Sequence, residues 1–432
     1  MAFLKQIRLA IASIALTTGA AAAGAPTATE ADVAAMRDYV EKNLAYTPAT
    51  RAEAVRRLER LPGLIGDPAR FELEAAAIAA LADNGHSMLV QGHGPPRYPR
   101  SPVRLGLFAD GLFVIAAPSG QQELVGREVL EINGRPWRAV RDAYARYQGG
   151  EQAFRDQFVT LFMETPALLA AAGLGEDRDQ VALTVRNASG GSSVVSVTAE
   201  PPAPHAAHTM MGGPVALEAA HLVAPEALPL YLRTPRENWR LEWLPEADAA
   251  YIQLNAVHGE GVRAFLEETL TQLRARRPRN IILDLRFNMG GDLNLARDFV
   301  QALPGLAGGG LYAITSGRTF SAAISSLGYL KQAAGDRLTI VGEPIGDRLE
   351  FWAEGRMVHL PGLGAMLLYA TERHNYMTGC PEADCHASIR DHPIRVATLQ
   401  PDVPAPLSFA DYRAGRDPAM EAIARLIRRG RD

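Results

Sequence analysis

Lysine is almost missing from this chain. Of its 432 residues, 44 are lysine or arginine, yet the only lysines are Lys5, Lys42 and Lys331. Any chemistry that needs a lysine base must draw on one of these. Cysteine is equally scarce: Cys380 and Cys385, in "CPEADC", are the only two. No second pair is available for a four-cysteine zinc site, and a disulfide closing a small loop is the default in an exported chain. Nearby His374, His386 and His392 leave zinc as the weaker reading, and no metal or organic cofactor is expected. Net charge is −4 with mixed signs, so nothing favours nucleic acid as a partner. The chain also lacks a G-x-S-x-G elbow, an S-x-x-K and an H-E-x-x-H, which removes the local signatures of lipases, penicillin-binding proteins and zincins.

What is present begins with a secretory signal. Lys5 and Arg8 precede the apolar run "LAIASIALTTGA", and "AAA" at 21–23 suits a signal peptidase. The expected segmentation is a signal peptide at 1–23, an N-terminal helical region at 24–98, a β-rich module at 99–200, a Pro/Gly-rich linker at 201–239 and an α/β core at 240–432. No later run reaches membrane-spanning length, so a periplasmic or secreted protein without stable membrane insertion is expected. The oligomeric state stays open.

Within 29–84 the periodicity predicts three helices, with Thr29 and Asp32 as a capping box. Asp110-Gly111 and Asn133-Gly134 mark hairpins, a helical stretch follows at 138–173, and "VALTVRNASGGSSVVSVTAE" is a further hairpin. From 240 strands and helices alternate, the pattern of a central sheet in an α/β fold.

Two β–α turns carry the chemistry. In "LDLRFNMGGDL", 283–293, a buried strand runs into Gly290-Gly291 and then a helix, so backbone amides can turn outward. In "TSGRTFSAAISSLGYLK", 315–331, a strand and a tight turn deliver Ser321 to a helix start, where it is either a nucleophile or an ordinary cap. Neighbouring parallel strands would bring both turns to one sheet edge. Ser325 and Ser326 would lie deeper on that helix, facing packing.

With "LADNGHSML", "LVGREVLEING", "DLRFNMGG", "GRTFSAA", "VGEPIG" and "QPDV" in this order, the chain resembles the C-terminal processing (tail-specific) and tricorn-core serine peptidases. The resemblance implies a crotonase-like/ClpP-like αβ core with a PDZ-like or PDZ-remnant module, acting on a protein or peptide substrate. It makes Ser321 the nucleophile and assigns the oxyanion hole to Gly291, Gly290 and the amide of Ala322.

The family's processing branch uses a lysine shortly after "VGEP", where this chain has Asp347 and Arg348. Lys331 is ten residues beyond Ser321, about 15 Å along a helix, and arginine cannot serve as a base. Lys42, in the first helix, stays only as a remote alternative, so a histidine must activate Ser321 if anything does. The tricorn-like branch takes one from the segment holding His86, with His93 in reserve. The orienting carboxylate is left among Glu372, Asp391 and Glu354, with Glu343 read as structural. The rival readings are a non-catalytic ligand- or peptide-binding protein on this scaffold and an esterase.

Overall fold

The computed structural model describes residues 26–90, 97–187, 189–201, 227–234 and 237–430. The signal at 1–23, most of the linker and His93 lie outside the described residues.

Thr29 and Asp32 do form a capping box, at the start of α1 (Glu30–Lys42). Prolines open α2 (Pro48–Leu58) and α3 (Pro68–Ala80), where a missing N–H costs nothing. The helices bury Met36, Tyr39, Phe71 and Ile78 against Leu360 and Leu367. Those partners belong to a three-stranded antiparallel sheet of Met88–Leu89, Ala365–Leu368 and Met357–Leu360. The helical region thus shares its core with a segment near the other end of the chain.

In the β-rich module, β1 (Arg104–Phe108), β2 (Gly111–Ala116), β3 (Glu128–Ile132), β4 (Gln180–Arg186) and β5 (Ser192–Thr198) pair antiparallel in that order. At the second hairpin Asn133 and Gly134 take φ of 50° and 70°, as a type I′ turn requires. The single helical stretch read at 138–173 is four short helices between Trp137 and Ala171. Gly149-Gly150 and Pro166 interrupt it.

The core is a six-stranded sheet. Its elements are β6 (Trp239–Leu244), β7 (Ala249–Leu254), α4 (Val262–Arg276), β8 (Asn280–Asp284), α5 (Leu293–Leu306), β9 (Leu311–Thr315), α6 (Ala322–Ala334) and β10 (Leu338–Gly342). A two-stranded excursion, β11 (Glu350–Ala353) paired with β12 (Glu372–Asn375), precedes the edge strand β13 (Val403–Pro404) and the last helix, α7 (Pro418–Arg429). The order is β13-β10-β9-β8-β7-β6, parallel except at β6. Every residue of β7, β8 and β9 is buried, because helices cover both faces: α4, α5 and α6 on one, α7 on the other. Parallel pairing of β8, β9 and β10 brings the loops that follow them to one edge of the sheet.

Candidate active site

Buried hydrogen bonds lock the loops after β8 and β9 together. Thr319 Oγ1 donates to the Leu285 carbonyl at 3.0 Å, and the Phe320 amide donates to the Asn288 carbonyl at 3.0 Å. Asn288, fully buried, donates through Nδ2 to the Leu254 carbonyl at 2.8 Å and accepts the Gly290 amide at 2.9 Å. The Gly290 amide is therefore committed within its own loop. Among the described residues, the amides of Gly291 and Ala322 make no backbone hydrogen bond.

Both glycines are required by space and by backbone. Gly290 and Gly291 have φ of 108° and 137°. A Cβ on Gly290 would lie 2.6 Å from Ser321 Cβ and 3.0 Å from the Ala322 nitrogen, and one on Gly291 would lie 2.3 Å from the Val257 carbonyl oxygen. The glycine turn thus lies directly against the serine and the first amide of α6.

Ser321 occupies the N-cap of α6, but its hydroxyl caps nothing: it makes no side-chain hydrogen bond to the helix, and its backbone sits at φ 54°, ψ −127°. A serine chosen for capping would have extended backbone and would accept an N2 or N3 amide. Here a non-glycine residue is held in a region that costs on the order of 1–3 kcal/mol, a strain found at functional sites. Two expectations follow for stability. Ser321→Ala should unfold at the wild-type temperature, since no cap is lost. Ser321→Gly should be more stable by roughly 1 kcal/mol, because glycine adopts positive φ without penalty. Thermal unfolding in which the glycine variant melts below the alanine variant would refute the strain. The buried Ser325 and Ser326 have internal partners, the Tyr376 hydroxyl at 2.6 Å and the Ala322 carbonyl at 2.8 Å.

His86 follows α3 in a turn that is tied down from several sides. Asn84 exchanges two hydrogen bonds of 3.0 Å with the backbone of Trp352 in β11. Arg348 reaches back to the Asp83 carboxylate at 2.8 Å and to Glu151 at 2.6 Å. The imidazole is stacked between Phe320, the residue before Ser321, at 4.3 Å between ring centres, and Phe351 at 5.5 Å. Among the described residues, no hydrogen bond reaches either ring nitrogen. A link between His86 and Ser321 is therefore not formed in this structure, as is common before substrate tightens a site. Burial pushes the His86 pKa down to about 3; His374 adds to this and Glu354 opposes it.

The carboxylate against His86 is Asp347, in the loop after β10. Its Oδ2 lies 3.9 Å from His86 Nδ1 and has no hydrogen-bond partner among the described residues, while Oδ1 accepts the Arg348 amide at 2.9 Å. Burial raises the Asp347 pKa to about 7. Among the sequence-derived alternatives, Glu354 is close enough for its charge to act on His86, Glu372 is half-buried in β12, and Asp391 is exposed. Glu343 accepts the Leu407 amide at 3.0 Å, a structural contact. Asp347 was visible only as the residue standing where relatives of the processing branch place a lysine. Its position in a loop following a parallel strand was the one signal that could have raised it. Lys42 pairs with Asp38 at 2.7 Å on the surface of α1, and Lys331 donates to the Leu338 carbonyl at 3.4 Å.

Cys380 and Cys385 are joined by a disulfide. The isolated bridge between Arg373 and Cys385 fastens the resulting loop to β12.

Comparison with known proteins adds the following. Residues 248–310 match Peptidase family S41. No curated protein sequence matches the chain. Mature CPAF complexed with lactacystin is similar in structure, with TM-score 0.57 and 13% identity over 93% of this chain and 99% of that one. Mature CPAF alone gives 0.55 at 13% identity, over 92% and 97%. The photosystem II D1 C-terminal processing protease gives 0.40 at 12% identity, over 92% and 96%. The likeness to CPAF extends the shared α/β protease fold over nearly the whole chain.

Proposed function

We propose that this chain, whose residues 248–310 match Peptidase family S41 and whose fold is similar to that of CPAF, is an exported serine peptidase working through Ser321, His86 and Asp347. The observation that carries the proposal is Ser321 itself. It is strained, uncapping and set against a glycine turn whose second amide, with that of Ala322, has no backbone partner among the described residues. A peptide carbonyl above Ser321 would direct its oxygen at the Gly291 and Ala322 amides, which stabilise the oxyanion as Oγ adds to the carbonyl carbon. His86 Nε2 takes the hydroxyl proton and later returns it to the leaving amine. Nδ1 is the nitrogen nearer Asp347, whose carboxylate fixes the tautomer and balances the imidazolium.

Export is supported by the N-terminal signal pattern and by a disulfide that suits an oxidising compartment. The β-rich module is assigned the PDZ-like part of the family's architecture on its "LVGREVLEING" segment.

The missing Ser321–His86 hydrogen bond favours a second reading, a binding protein on the same scaffold. A fluorophosphonate probe separates the two. The wild-type chain should be labelled stoichiometrically at Ser321 and Ser321→Ala not at all; an unlabelled wild-type chain would overturn the peptidase proposal. Cleavage of casein or of a tailed peptide then distinguishes a peptidase from an esterase.

A further inference from the structure

On the far side of Phe351 from His86, three donors converge that the peptidase mechanism does not use. Glu354 follows β11, His374 lies in β12 opposite Phe351, and His386 is the N-cap of the short helix Ala387–Asp391. One ligand atom from each lies within 4.8 Å of the others. His374 Nε2 is 3.5 Å from Glu354 Oε1, and His386 Nε2 is 4.0 Å from Glu354 Oε2. These gaps are long for hydrogen bonds. They approach the edge of a tetrahedron with bonds of about 2.0–2.2 Å, roughly 3.3 Å.

The second observation is an orphaned nitrogen. The His374 side chain is 2% exposed, and its Nε2 makes no hydrogen bond among the described residues. A buried polar atom in that state calls for an explanation. The other nitrogen, Nδ1, lies 3.0 Å from the Tyr376 hydroxyl, which in turn meets the Ser325 hydroxyl at 2.6 Å. That chain fixes the ring from behind, as the outer partners of metal-bound histidines do, and aims Nε2 at the Glu354 carboxylate. In the tautomer whose Nδ1–H donates to Tyr376, the Nε2 lone pair faces the carboxylate, an arrangement that a cation between them stabilises.

The neighbouring disulfide removes both cysteine sulfurs from any ligand set and holds the residue before His386.

We propose that Glu354, His374 and His386 bind one divalent transition cation of the zinc type, separate from Ser321 and His86. Two imidazoles and a carboxylate suit Zn²⁺ rather than Mg²⁺ or Ca²⁺. Glu354, whose side chain is 37% exposed, leaves the remaining position open to water. The cation would tie β11, β12 and the disulfide loop together behind Phe351.

The test is calorimetric titration of the full chain, stripped with a chelator, with Zn²⁺. One saturable site is expected, with a higher unfolding temperature when loaded; Co²⁺ in place of zinc should give the visible bands of a four-coordinate site. Glu354→Gln, isosteric and partly exposed, and His374→Ala should each weaken binding by roughly 100-fold or more, and Tyr376→Phe by roughly 10-fold. Ser321→Ala should bind as the wild type does, so the result stands apart from the peptidase reading. No saturable binding by the wild-type chain, or wild-type affinity in Glu354→Gln, would overturn the site.

Discussion

Ser321→Ala and His86→Ala are each expected to lower kcat by roughly 10⁶-fold on a peptide or casein substrate, and the double variant should lose no more, because nucleophile and base act as a unit. Asp347→Asn should cost less, about 10⁴-fold, since an asparagine can hold the ring but cannot balance the imidazolium. The pH profile identifies the carboxylate. Burial leaves His86 neutral down to about pH 3, whereas Asp347 ionises only near 7. Below that value Asp347 is a neutral acid and gives the imidazolium no counter-charge; above it the carboxylate is present. Hence kcat/KM should rise through about pH 7, and this limb should vanish in Asp347→Asn. A histidine of ordinary pKa would give a similar rise, but that rise would survive in Asp347→Asn, which is the result that would remove Asp347 from the mechanism. Lys42→Ala and Lys331→Ala should leave turnover unchanged, since both lysines are held elsewhere. A dead Lys42→Ala variant would return the serine–lysine dyad.

The largest effect on stability is expected at Arg286, the arginine of "LDLRFN". Its Nε lies 3.0 and 2.9 Å from the two oxygens of Asp284, and Nη2 meets Asp417 at 2.9 Å. The guanidinium also sits 4.2 Å from the centre of the Tyr231 ring. Tyr251 donates to Asp284 at 2.7 Å, and Asp417 caps α7 through the Ala419 and Met420 amides. One cation, its side chain 11% exposed, therefore joins the end of β8 to the last helix. Arg286→Ala strands two carboxylates whose side chains are 0% and 7% exposed, which should lower the unfolding free energy by about 3–5 kcal/mol. The exposed Arg56–Glu53 pair on α2, at 64% and 36%, is the control, and its removal should change little. Denaturant unfolding in which both variants shift alike would show that the buried network contributes no more than a surface pair.

What could be read from the chain alone was whatever depends on local chemistry. Thr29 and Asp32 cap a helix through their own side chains and the amides beside them. Asn133-Gly134 takes the only turn its positive φ values favour. The apolar runs that became β7, β8 and β9 could be buried only in a sheet covered on both faces. Ser321 and Gly290-Gly291 were legible for the same reason, since each sits in a turn between a strand and a helix and adjacent parallel strands share an edge.

The rest depended on distance in space. Gly290 was grouped with the oxyanion donors, but its amide is spent on Asn288, a pairing that only the folded loop specifies. The strands between 350 and 375 are short and pair through their neighbours, and one sheet there is completed by Met88–Leu89 from the far end of the chain, so no local period announced them. His86 acquires its environment from Phe320 and Phe351, and its carboxylate from Asp347, each on a different element. A lone histidine and a lone aspartate carry no record of each other in a linear chain. Sequence determined which turns could hold a nucleophile and an oxyanion hole; tertiary packing decided which charges meet there, because burial and proximity, which shift those charges, exist only once the sheet edge has closed.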